Sequence, residues 1–145
     1  MKLEIPKGGH LIEVFGYNKE DIKHAVNYLV ETLKRKVVSL QDLELNALDD
    51  MEERVVAVDL EDPILHGGFS GPRKSSFIYL VRALYHTNTV FIVPHLREFW
   101  DYDPFDVQLH RSATYVVRVY DKGFVMRDYL TDRRYVHYFK EQASV

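Results

Sequence analysis

Apolar positions along this chain recur in two rhythms. Residues 11–15 (LIEVF) are a near-continuous apolar run bounded by Gly8-Gly9 and Gly16, with Glu13 as the one charge. Such a run predicts a central strand buried on both faces. From Ile22 the interval changes. Ile22, Ala25, Val26, Leu29, Val30 and Leu33 fall at helical spacing, and Lys34-Arg35-Lys36 follow, where cations suit a helix C-terminus. Residues 36–40 (KVVSL) and 55–60 (VVAVDL) read as further strands, separated by an acidic stretch over 41–53 that predicts one helix with loops. The segment 61–74, rich in Gly and Pro, reads as loop. A helix over 75–86 burying Ile78, Val81, Leu84 and Tyr85 leads to a fourth apolar strand at 89–93 (TVFIV).

The second rhythm begins at residue 114. Residues 114–120 and 124–130 alternate around Asp121-Lys122-Gly123, a hairpin signal, and 133–140 alternates again. Strand–helix units followed by a meander predict an α/β fold. Its central sheet is mainly parallel, flanked by helices, and a C-terminal antiparallel meander extends it.

Composition narrows the classes. At 145 residues the chain is expected to be one domain spanning 1–145, and 46% apolar with 28% charged residues is ordinary for a globular protein. The absence of cysteine excludes a disulfide framework and a thiolate zinc site. A net charge of −3 argues against broad non-specific binding to nucleic acid. No apolar run is long enough to span a bilayer and no signal peptide is evident at the start, so no membrane is expected and the cytoplasm is the expected location.

The first strand, turn and helix are the frame on which nucleotide sites carry the motif G-x-x-x-x-G-K-[ST]. In that register this chain keeps Gly16 but has Asp21 for the second glycine, Ile22 for the lysine and Lys23 for the hydroxyl residue. A phosphate cradle needs backbone amides converging beside a helix N-terminus, glycines for close approach and a lysine for the terminal phosphates. Glu20 and Asp21 instead place carboxylates where the helix dipole favours negative charge, and Asn18 is placed to cap the helix.

The order of these segments resembles the ATPase core of the RecA superfamily, especially archaeal RadA and RadB, over residues 7–140. Gly8-Gly9 before the first strand, Val55-Val56-Ala57-Val58-Asp59 at the place of the Walker B strand, a fourth strand ending in the polar His95, and His110 ahead of an Arg118-bearing strand carry the likeness. The resemblance implies a RecA-like fold with Gly16 and Asp59 as vestiges of a nucleotide site. The Walker A residues are gone, and Pro94-His95 stands where the family has an Asn-Gln switch. With so few residues before Gly8, no N-terminal DNA-binding domain and no Phe-x-x-Ala polymerisation strand are expected. The expectation is therefore a protein without ATP hydrolysis, not an enzyme, with no cofactor, no metal and no catalytic residues.

Arg73, Lys74 and Arg97 are the DNA-binding candidates, at the places of the family's DNA-facing loops, with Phe69 beside the first. DNA binding is expected to be weak. Phe99, Trp100, Tyr102 and Phe105 are interleaved with Glu98, Asp101, Asp103 and Asp106, which repel a phosphate backbone and suit a protein partner. His95 sits at a strand end, where open α/β sheets line their ligand crevices.

Three functional readings result. The first is a RecA/RadA-like accessory or binding module of DNA recombination and repair, partnered by another RecA-like protein or recombinase, or by itself as a closed homodimer. The second is a small metal-dependent nuclease or hydrolase using Asp59, Glu61 and Asp62. The third is a purely structural homodimer.

Overall fold

The computed structural model describes residues 5–40, 52–62, 77, 81–82, 88–96 and 109–139. Seven strands form one sheet: β1 (His10–Gly16), β2 (Lys36–Val37), β3 (Arg54–Ala57), β4 (Thr89–Leu96), β5 (Tyr115–Tyr120), β6 (Gly123–Asp128) and β7 (Arg134–Tyr138). Helix α1 (Lys19–Leu33) packs on one face. The strand order is β2-β3-β4-β1-β5-β6-β7. The first five strands pair in parallel, and β6 and β7 continue the sheet antiparallel. This is the expected α/β architecture with its C-terminal meander.

The apolar run 11–15 explains why β1 lies at the centre. Every residue of β1 is buried. Because strand side chains alternate, Ile12 and Val14 meet Ile22, Ala25 and Leu29 of α1, while Leu11 and Phe15 join Val56, Phe77, Phe91 and Leu109 on the opposite face. A strand needs apolar residues at successive positions only when both faces are covered.

Helix α1 starts on Asn18, whose Oδ1 accepts the amide N–H groups of Glu20 at 2.8 Å and Asp21 at 3.3 Å. Gly16 makes the turn into it: a Cβ there would sit 2.8 Å from Cγ1 of Ile22. The helix ends at Leu33, with Lys34 in the left-handed conformation. The basic run beyond it does not dress the helix end. Arg35 instead donates from Nη1 to the carbonyls of Gly8 (2.8 Å) and Asn88 (2.6 Å), tying the feet of β1 and β4 to the helix exit.

Several boundaries differ from the sequence pattern. The second strand covers two exposed residues rather than 36–40, because an edge position buries little. The fourth runs on through Pro94 and His95 to Leu96, since β1 accompanies it to Gly16. In the segment expected to be helical over 75–86, Phe77 and Val81 are helical and buried; Ile78, Leu84 and Tyr85 lie outside the described residues, as does the helix expected within 41–53. The hairpin turn is two residues long, Asp121-Lys122, and joins Tyr120 directly to Gly123. Among the described residues no helix is long and apolar enough to cross a membrane.

Candidate active site

Glu13 is the one charge in the apolar run of β1, and the fold buries it to 1% exposure on the face away from α1. Its Oε2 accepts a hydrogen bond from Nε2 of His95, on β4, at 2.9 Å. Its Oε1 accepts one from Nδ1 of His110 at 2.9 Å. Burial alone would push the Glu13 carboxyl up. The hydrogen bonds from His110 and His95, with their charges, outweigh it and hold the group below the ordinary carboxylate range.

Each imidazole is placed by its own packing. His95 is buried and stacks on Phe15, with ring centroids 4.6 Å apart. His110 lies in a helical turn after Leu109 and retains partial exposure. With Nδ1 of His110 turned to Glu13, its Nε2 lies 3.3 Å from the Tyr129 hydroxyl, within hydrogen-bond reach. Burial above all raises the pKa of the Tyr129 phenol, so it holds its proton at neutral pH. Arg127 lies over the Tyr129 ring at 5.2 Å, and the positive charge of Arg118 also acts on that phenol.

The result is a chain from buried carboxylate through imidazole to phenol on the sheet face away from α1: Glu13 lies midway along β1, His95 near the carboxyl end of β4, where open α/β sheets receive ligands, and Tyr129 beside Thr114, level with Leu11 near the start of β1. Chemically it is an oriented base. The carboxylate fixes the imidazole tautomer and stabilises the imidazolium that forms when Nε2 takes a proton. A concavity of about 720 Å³ opens at the amino ends of β1 and β5, between Arg35, Tyr115, Asp128 and Arg133. Burial, with Asp128 and Tyr135 nearby, pushes the Tyr115 phenol there up to about 12.

The residues expected to be vestiges of a nucleotide site, Gly16 and Asp59, sit elsewhere. Asn18 already takes two of the first-turn amides that a phosphate would use. Lys19, the first residue of α1, makes an exposed ion pair with Glu61 at 2.7 Å, bridging the helix start to the segment after β3. Asp59 Oδ1 accepts the backbone N–H of Glu61 at 2.9 Å and shapes that turn. The proposed nuclease cluster does not assemble: Asp59, Glu61 and Asp62 do not converge, and among the described residues no three His, Cys, Asp or Glu side chains are placed to hold a metal ion. Arg73, Lys74, Arg97, Phe99, Trp100, Tyr102 and Phe105 lie outside the described residues.

Of the residues singled out in the sequence, the structure brings His95 into the cluster. Glu13 and His110 carried a signal, a lone carboxylate in a buried strand and a histidine ahead of an arginine-bearing strand. Neither signal says that the two meet.

No protein-family model and no curated protein matches the chain. A solved structure does: the genome-packaging NTPase B204 from Sulfolobus turreted icosahedral virus 2, in complex with ATP-γS, is similar over 88% of this chain and 96% of its own. The TM-score is 0.56 at 9% identity. The P4 protein from bacteriophage phi6, in complex with ADP, aligns over 88% of this chain and 57% of its own with a TM-score of 0.37 at 13% identity, too low to support an argument. The fold is thus a P-loop NTPase-like α/β fold. This corrects the expectation that the chain is not an enzyme. That inference ran from the loss of one motif to the loss of activity, whereas the fold extends over nearly the whole of a known NTPase. The likeness shows the fold and not a RadA or RadB ancestry.

Proposed function

We propose that this chain is a RecA-like protein of DNA recombination or repair, acting beside another RecA-like subunit or a second copy of itself. Its chemical centre is Glu13–His110–Tyr129, which transfers protons on a phosphate-bearing substrate. The observation that carries the reading is a carboxylate at 1% exposure, midway along the central strand, held by two imidazoles. A charge so far out of water is costly to keep unless its partners need it. His110 is the proton acceptor, Glu13 orients it, His95 braces the second carboxylate oxygen, and Arg118 and Arg127 bring positive charge to the Tyr129 side. The NTPase activity named for the viral protein of like fold supports a phosphate-bearing substrate. The DNA contacts at Arg73, Lys74 and Arg97, and the partner face at Phe99, Trp100, Tyr102 and Phe105, belong to the same proposal.

The test is turnover of nucleoside triphosphates and of nucleic-acid phosphodiesters by the wild type, Glu13→Gln and His110→Asn, with folding checked by circular dichroism. Loss of an oriented acid–base group should lower kcat about 10²–10⁴-fold in folded His110→Asn. Turnover untouched by His110→Asn would overturn the reading, and so would a wild type that turns over neither substrate class.

A further inference from the structure

The meander has an inner and an outer face. Inward, Phe124 and His137 pack on Tyr28 of α1, with the His137 and Tyr28 rings stacked at 3.7 Å. Outward, the register sets side chains in three cross-strand rows. Tyr120 and Tyr138 flank Gly123 in the first row. Arg118 shares the second with Val125 and Val136. Arg127 stands beside Arg134 in the third. Tyr120, Val136 and Tyr138 are 52%, 55% and 73% exposed, and Arg118, Arg127 and Arg134 are exposed as well. No acidic residue of these strands points to this side. Of the three arginines, Arg127 donates from Nε to the carboxylate of Asp132 at 2.8 Å.

In a chain with net charge −3, three arginines and two exposed tyrosines on one open sheet face are a local reversal of sign. From this we infer that the outer face of β5-β6-β7 is a binding platform for single-stranded nucleic acid. The arginines neutralise backbone phosphates. Tyr120 and Tyr138 offer flat rings to unpaired bases, and Gly123 leaves the row between them without a side chain. Sheet faces that present aromatics and cations suit single strands, whose bases are splayed and free to stack. A duplex keeps its bases paired and its faces hidden, so it is excluded from the tyrosines. The inference deepens the proposed function, because Arg127 at the edge of this face also covers Tyr129, so a bound strand would pass beside His110. It names the substrate class for that site and rests on that reading only for its catalytic use; the binding itself does not.

The test is fluorescence anisotropy of a labelled oligothymidylate of about 15 nucleotides titrated with the full chain at several salt concentrations. Binding should weaken as salt rises, and Arg134→Ala should lower the log–log salt slope by about 0.7. Tyr138→Ala should weaken binding by about tenfold at every salt concentration, through lost stacking. Both sites are exposed, so both variants should fold. Binding is read here without turnover, and turnover is read separately on His110→Asn, so a failed active-site reading and a failed platform give different results. No binding at low salt, equal affinity for a duplex of the same length, or affinity unchanged in both variants would overturn the platform.

Discussion

Two acid–base contacts of the molecule have similar lengths and unequal weight. Lys19 meets Glu61 at 2.7 Å with both side chains more than half exposed. Glu13 meets His95 and His110 at 2.9 Å, with the carboxylate and His95 both about 2% exposed. The shorter contact is the weaker one. Between exposed partners water screens the attraction, and two long side chains lose freedom to make it. Around Glu13 there is no water to replace a lost partner, so each hydrogen bond is obligatory. Length reports geometry; burial decides what the geometry is worth.

The comparison breaks most sharply at Glu13. Glu13→Ala, which removes the buried acceptor that both imidazoles share and opens a cavity, should lower unfolding stability by about 3–5 kcal/mol, read from denaturant midpoints. A loss under about 1 kcal/mol would mean that the cluster is solvated and the contrast false.

Acid titration sharpens it next. The Glu13 carboxyl is held below its ordinary value of 4.5, so its contribution is present above that value and is lost as pH falls through the lower folded value. Burial lowers the His10 and His137 imidazoles below their ordinary 6.5, and these too contribute stability above that value and lose it on acidification. Thermal melts should therefore fall first below about pH 6.5 and steepen below about pH 4.5, and Glu13→Gln should lack the second step. Lys19 is raised by its hydrogen bond to Glu61, so its small contribution fades only at alkaline pH.

Asn18→Ala, which removes the cap from two amides at the same helix start, should cost about 1 kcal/mol in the same denaturant measurement. The smallest effect belongs to Lys19→Ala, whose denaturant midpoint should stay close to that of the wild type, and salt should erase even the residual difference. A salt-independent loss as large as that of Asn18→Ala would place Lys19 in a tighter role than a screened surface pair has.

Local rules read the first strand, the turn and the helix cap correctly, because each depends on neighbours within four residues: Leu11 to Phe15, Gly16, and Asn18 with the amides of Glu20 and Asp21. The hairpin at Asp121-Lys122 was legible for the same reason. The pattern erred where burial by distant elements set the boundary, as at β2 and at the end of β4. It also erred in judging activity, because the residues of one loop were taken to stand for the whole site.

The sequence by itself determined that there would be a strand buried on both sides, an amphipathic helix behind it and a two-sided meander at the end. Periodicity and caps are short-range, and they are written in consecutive residues. Tertiary structure alone decided that Glu13 would meet His95, 82 residues away, and His110, 97 residues away. It alone put Arg118, Arg127 and Arg134 on one face. Those meetings depend on which strands lie side by side and in what register, and the order β3-β4-β1-β5 is set by how the whole chain buries its apolar faces together.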